Sequence, residues 1–252
     1  HKATWHGQAF DRDQHCRNTL FEYNISYNNV GGWLMLCPSD VSFDKNYVSQ
    51  EGTVVRYNVS INDGTRDYVK GNGQTLSSTI DVVGRVGSCH FYNNTIIKTR
   101  SAATHADNTA ITFDSYTNIP GSLLFTNNIF YNTTATANPF TKVGTGEFID
   151  NQGLILRNNC ICGYQEGTIP GSGEHNTANI PTDPAFVRLI EEFSSNDNLV
   201  DREEILEGLR LATGSPCIGA GIEIPEDPIF PFSTDFWGEP LGEARNIGAY
   251  NH

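Results

Sequence analysis

The phrase TLFEYNISYNNVGG at residues 19–32 returns as TVVRYNVSINDGTR at residues 53–66. Aligned on one asparagine, it occurs as FEYNIS at Asn24, VRYNVS at Asn58, FYNNTI at Asn94, FTNNIF at Asn128 and LRNNCI at Asn159. The intervals between these asparagines are 34, 36, 34 and 31 residues. Three positions before each asparagine stands Phe21, Val55, Phe91, Phe125 or Leu156. One position after stands Ile25, Val59, Thr95, Ile129 or Cys160. A period of this length marks stacked supersecondary units, each unable to bury its apolar face alone.

The units are β, not helical. Their apolar runs are short, β-branched or aromatic, and punctuated by Asn and Gly. A second strand-like stretch lies between the phrases: WLMLC at 33–37, TIDVVG at 79–84, AITFDS at 110–115 and GEFIDN at 146–151. Two or three short strands per period make one turn of a parallel solenoid, in which each strand pairs with its counterparts about 4.8 Å above and below. The asparagine is then the corner between two strands, the residue type that best tolerates left-handed backbone after glycine. Stacked corner amides can hydrogen-bond along the solenoid axis. This register predicts Asn94 and Asn128 as neighbours at one corner, with Phe91 stacked on Phe125 inside.

Composition limits what such a solenoid can do. The net charge of −13 over 252 residues argues against nucleic acid, whose phosphates need a basic footprint. No apolar run of about 18 residues suggests a membrane-spanning helix, and the polar opening HKATWHGQAF does not read as a leader. Cys16, Cys37, Cys89, Cys160, Cys162 and Cys217 have no zinc-site spacing and no CxxC. Their even number, with N-x-S/T sequons at Asn24, Asn58, Asn93 and Asn132, predicts a secreted, disulfide-bonded glycoprotein. Asn24 and Asn58 belong to the inward corner, so glycans are expected at Asn132 and Asn93 instead.

The chain resembles the right-handed parallel β-helix superfamily, the pectate-lyase-like fold of many carbohydrate-active enzymes. The likeness rests on AFDRD at Ala9–Asp13, the YN-x-S coils at Asn24 and Asn58, SPCIGAG at Ser215–Gly221 and TDFWGEP…NIGAY at Thr234–Tyr250. It implies an all-β fold, a right-handed parallel β-helix (solenoid) with an irregular C-terminal tail, and a secreted carbohydrate-active protein. Coils are expected over residues 1–164, and a C-terminal coil or capping segment of the same domain over 165–252. DREEILEGLRLA reads as a short helix opened by Asp201, with Glu203 and Glu204 in its first turn. Repeat text starts within about 20 residues of His1, so a partner or further coils are expected to cover that end. The resemblance also implies an acidic first corner of the type SHDNEGG. Here that corner reads SYNNVGGW, with Asn28, Asn29 and Val30.

The densest polar constellation is GQAFDRDQHC at residues 7–16. Asp11 and Asp13 are i, i+2, so on a strand they share a face with Cα atoms roughly 6.5–7 Å apart. That suits the roughly 6.5–9.5 Å carboxyl separation of inverting glycosidases. Trp5, His15, Tyr27 and Trp33 are candidate sugar-binding side chains, since a ring face covers a sugar's apolar face. His6 lies just upstream. INDGTRDY adds Asp63 and Asp67 as further candidate carboxylates and Arg66 as a candidate for substrate charge. Asp44, Asp81, Asp114 and Asp150 recur at similar phase before the corners, where strand-end aspartates ordinarily bind local backbone. His1 with His6 or His15 would offer nitrogen ligands to copper only if His1 were a free terminus. The GNGQ at 71–74 lacks the Lys-Ser/Thr of a phosphate loop.

These residues predict a glycoside hydrolase that cleaves a polysaccharide or oligosaccharide with Asp11 and Asp13 as acid and base. It needs no cofactor. A polysaccharide lyase is the alternative enzyme, using Arg66 and Lys70 against a uronate, with Ca²⁺ to offset the acidic field. A non-catalytic glycan-binding or surface-structural β-helix is the alternative from another class.

Overall fold

A computed structural model describes residues 7–37, 50–66, 78–100, 109–113, 122–134, 139–142, 153–165, 176–189 and 202–251. Each turn of the chain contributes three strands. The first holds β1 (Gln8–Arg12), β2 (Leu20–Glu22) and β3 (Ile25–Tyr27), the second β4 (Gly32–Leu36), β5 (Thr53–Arg56) and β6 (Val59–Ile61). β7 (Ile80–Val82), β8 (Cys89–Tyr92) and β9 (Thr95–Lys98) make the third turn. β10 (Ile111–Phe113), β11 (Leu123–Thr126) and β12 (Ile129–Asn132) make the fourth. β13 (Phe140–Lys142), β14 (Leu154–Arg157) and β15 (Cys160–Cys162) make the fifth, and β16 (Asn176–Thr177) begins another. Through β15 every third strand joins the same sheet, and β16 extends the second. The first sheet runs β1-β4-β7-β10-β13, the second β2-β5-β8-β11-β14-β16 and the third β3-β6-β9-β12-β15, and every pairing is parallel. The chain is a parallel β-helix.

The repeated asparagine is the corner between the second and third sheets. Asn58 Oδ1 accepts from both the backbone N–H of Asn24 at 3.0 Å and its Nδ2 at 3.0 Å. Asn94 serves Asn58 in the same way (3.1 and 2.9 Å), and Asn128 serves Asn94 (3.1 and 2.8 Å). Asn159 and then Asn179 continue the ladder. At Asn58, Asn94 and Asn128 the Nδ2 also donates to the carbonyl two residues back, as from Asn94 to Tyr92, and to a carbonyl of the previous coil, as from Asn94 to Val55. No other side chain of this size offers one acceptor and two donors in that plane. Asn179 is a rung the repeat did not reveal, because it follows Asn159 by only 20 residues and has Asn176 where an apolar residue stands elsewhere.

The left-handed backbone sits one residue earlier than the sequence suggests. Tyr23, Tyr57, Asn93, Asn127, Asn158 and Ala178 have φ of 55, 48, 52, 55, 51 and 55°. Each non-glycine residue in this region costs about 1–2 kcal/mol. The outward side chains of the first five find partners in the C-terminal tail. Asn158 donates to Ala220 O at 3.0 Å, and Asn127 exchanges two bonds with the backbone of Ile222 (2.7 and 3.0 Å). Further along, Tyr57 packs on Phe232 with ring centroids 5.9 Å apart, and Tyr23 OH donates to Thr234 O at 3.1 Å. Asn93 donates to Asn246 O and Gly248 O at 3.0 and 2.9 Å as the tail returns. The tail thus climbs the corner from the fifth coil to the first and doubles back.

Inside, Phe21, Val55, Phe91, Phe125 and Leu156 form one column, and the Phe91 and Phe125 rings stack with centroids 4.5 Å apart. Burying one such side chain stabilises by about 1.5–3 kcal/mol. The column one residue after the ladder behaves differently. Ile25 and Val59 join a cluster with tail residues Ile205, Leu209 and Phe236, and Ile129 and Cys160 join one with Leu211 and Ile247. The third sheet is therefore covered on both faces, which explains why β6 and β9 are buried along their whole length. The tail presses close here: a Cβ on Gly248 (φ +99°) would clash with the Ile129 side chain. The helix α1, Arg202–Gly208, lies in this cover through Ile205 and carries Glu203 and Glu204 in its first turn. Asp201 falls outside the described residues. No helix among the described residues is long and apolar enough to cross a membrane.

Candidate active site

On β1 the side chains alternate. Asp11 is exposed, Arg12 is buried, and Asp13, one residue past the strand, is exposed again. Arg12 is tied down from within: Nη1 donates to Gln50 Oε1 at 2.8 Å, Nε to Thr19 Oγ1 at 3.1 Å, and Nη2 to Cys16 O and Glu51 O at 2.6 and 3.3 Å. Gln50 Nε2 returns bonds to the carbonyls of Arg12 and, at 2.8 Å, Asp13. Burial lowers the Arg12 pKa from its ordinary value, yet a guanidinium remains charged at any physiological pH. The backbone between the two aspartates is therefore pinned at side chain and carbonyl, while both carboxyl groups face out. Sequence reasoning missed Arg12 and Gln50. The signal was present in DRD, since a strand with Asp11 and Asp13 outside must turn its intervening arginine inside.

The other sequence candidates scatter around the coil. His15 is exposed beyond the same strand, with left-handed φ of 60°. Tyr27 is half-buried on the third sheet, packed with the tail cluster and thus on another face. Trp33 is 1% exposed within the central core, so it lines no groove; an apolar ring at the start of β4 gains more from the coil interior than from water. Trp5, Asp67, Lys70, Asp44, Asp114, Asp150, His1 and His6 lie outside the described residues.

Asp63 and Arg66 are both buried, which separates them from any substrate at the surface. Asp63 closes the corner after the third sheet. Its Oδ1 accepts from the backbone and side-chain nitrogens of Asn29 at 2.9 and 2.8 Å, and Oδ2 accepts from Ser60 Oγ at 2.7 Å. Burial raises its pKa from 3.8 to about 6, against the opposing pull of the hydrogen bonds from Ser26, Asn29 and Ser60. Asn29, in the SYNNVGG corner, serves as the rung above Asp63.

Asp81 shares a row with Asp11, separated from it by Met35, so their Cα atoms are two strand spacings or about 10 Å apart. At 1% exposure it cannot meet a substrate. Its carboxylate accepts from Gln8 Nε2 (3.0 Å), Ser78 Oγ (2.5 Å) and Thr112 Oγ1 (2.6 Å) and so ties three coils together.

All four sequon asparagines are held by hydrogen bonds within the chain. Asn93 is buried with both amide protons on tail carbonyls. Asn132 is 2% exposed, its Oδ1 accepts from Thr134 N (2.9 Å) and Oγ1 (2.6 Å), and Gly163 of the next coil abuts its carbonyl. Asn24 and Asn58 are ladder rungs. Each sequon asparagine therefore has a structural role in the coil. The cysteines form no disulfide: all six are free thiols, with Cys89, Cys160 and Cys217 buried as small apolar side chains.

No family model matches the chain. It is 25% identical over 258 residues to a Lacto-N-biosidase of Bifidobacterium longum subsp. longum, an alignment covering 96% of this chain and 13% of that protein. The chain therefore spans about an eighth of the relative it matches, and the alignment runs through coils and tail alike.

Proposed function

We propose that the chain is a secreted glycoside hydrolase, or the β-helix unit of one, with Asp11 and Asp13 as its acid and base. The observation that carries this reading is the pair of exposed aspartates flanking the buried, four-fold tethered Arg12. The likeness to a carbohydrate-cleaving relative along nearly the whole chain supports the substrate class. One carboxyl group protonates the glycosidic oxygen as the C–O bond breaks. The other takes a proton from the water that attacks the anomeric carbon from the opposite face. A spacing of roughly 6.5–7 Å between alternate Cα atoms on extended backbone leaves room for that water. His15 lies beside the pair for hydrogen bonding to the sugar. The net charge of −13 favours a neutral glycan over a polyanionic one.

The test is a panel of neutral and uronate-containing glycans, read for reducing ends and for the absorbance of unsaturated uronates in parallel. New reducing ends on a neutral glycan without that absorbance support the hydrolase. Unsaturated product identifies a lyase instead, and an inert panel assigns the chain to glycan binding or architecture.

A further inference from the structure

On the far side of the solenoid corner, the outer face of the second sheet and tail residues 222–229 enclose a groove of about 430 Å³. Its floor comes from three successive coils: His90 on β8, Thr126 on β11 and Arg157 on β14, with Thr126 and Arg157 on adjacent rungs of one row. Its opposite wall carries Glu223 and Glu226, together with Ile222 and the 57% exposed Ile229. The Arg56–Glu22 ion pair at 2.7 Å occupies the same row two coils earlier, where the tail's Phe230 and Pro231 carbonyls seal it. Past that seal the row opens into the groove.

We propose that this groove is a second, non-catalytic carbohydrate-binding site, which takes one or two neutral sugar units. The charges select the class. Arg157, Glu223 and Glu226 are each without an ion pair or side-chain hydrogen bond among the described residues, although all line one groove. A phosphate or sulfate would meet Arg157 but face Glu223, Glu226 and Asp227 as well. A metal ion or amine would meet the carboxylates but face the guanidinium. A sugar hydroxyl satisfies both, since it donates to a carboxylate and accepts from an arginine. The floor adds neutral groups: His90 Nε2 lies 3.2 Å from Thr126 Oγ1, and burial lowers the His90 pKa to about 4, so its imidazole is uncharged near neutrality. The tilted His90 and Tyr92 rings, 4.7 Å apart, and the isoleucines offer apolar surface to the C–H face of a pyranose. The groove lies on the second sheet and Asp11 on the first, so binding here is independent of the proposed hydrolysis.

The experiment is an NMR titration of the amide-labelled full chain with methyl β-galactopyranoside, methyl N-acetyl-β-glucosaminide and cellobiose, and separately with sodium sulfate and calcium chloride. At least one sugar should give saturable shifts, with Kd in the millimolar range, at Leu124–Thr126, Arg157 and Ile222–Ile229. The two salts should not. Arg157→Ala should weaken the sugar about tenfold, the loss expected for a hydrogen bond to a charged group. Asp11→Asn should leave these shifts in place, which separates this site from the hydrolase reading. The proposal is overturned if no sugar shifts these amides, if sulfate or calcium shifts them instead, or if the sugar shifts survive both Arg157→Ala and Glu223→Ala/Glu226→Ala. Arg157 is exposed and Glu223 lies at the surface, so these variants should fold.

Discussion

Two adjacent columns run up one corner of this solenoid and have opposite histories. The ladder asparagines face a partner that is the same in every coil, another ladder asparagine, and they do not vary. The residues just before them face the tail, which is different at every height, and they vary with it: tyrosine at the heights of Phe232 and Thr234, asparagine at the heights of Ala220, Ile222, Asn246 and Gly248. A repeat position is uniform when its surroundings repeat and variable when they do not. The open face of β1 is a third case. There Asp11 and Asp13 are exposed on either side of the buried Arg12, which is why they are assigned to chemistry.

Substitution should separate these cases by size. Asn94→Ala removes bonds to Val55 O, Tyr92 O and Asn128 Oδ1 and strands the Asn58 N–H that Asn94 accepted. A loss of roughly 3–5 kcal/mol is expected from several buried hydrogen bonds of which some partners stay unsatisfied. Urea midpoints at constant slope would measure it, and a loss below that of the end rung Asn24→Ala would break the ladder account. Next comes Asp63, whose pKa is raised on folding from 3.8 to about 6. The folded state holds this proton more tightly, so the contribution is fully present below about pH 4 and is lost as pH rises to about 6. The fall should be about 3 kcal/mol by linkage, and Asp63→Asn should flatten it. Urea midpoints from pH 4 to 7 for both proteins would show the slope or its absence.

Asn93→Ala should cost less, about 2 kcal/mol, because it loses its two bonds to the tail and a long one from Asn127 and gains a strained left-handed alanine. Its effect should also be local. Limited proteolysis should reach residues 246–248 first, whereas Asn94→Ala should open the coil as a whole. Uniform opening in both variants would erase the distinction between the columns.

Much of this fold was legible because a solenoid writes its contacts as a period. The phase of Asn94 and Asn128 placed them on one corner, and the same phase stacked Phe91 on Phe125. What the period could not show is anything contacted from outside it. The left-handed position was displaced by one because the sequence shows an asparagine that matters but not which of its torsions bends. The inward burial of Trp33, the coil packed over Asn132 and the carbonyls that occupy Asn93 all come from segments far away in the chain. For the candidate site, the alternation of Asp11 and Asp13 was readable. Their anchor through Arg12 and Gln50 was not, since it joins residues 38 apart in different coils.

The smallest effect on stability should accompany the largest effect on activity. Asp11→Asn exchanges one exposed polar group for another, so its unfolding midpoint should stay within about 0.5 kcal/mol of the parent. The decisive measurement is reducing-end release by Asp11→Asn, and by Asp13→Asn, on the neutral glycan that the parent cleaves. Turnover lost in both, with unfolding unchanged, is what this account predicts. Turnover retained, or lost only together with several kcal/mol of stability, would contradict it and return the pair to the architecture of the first coil.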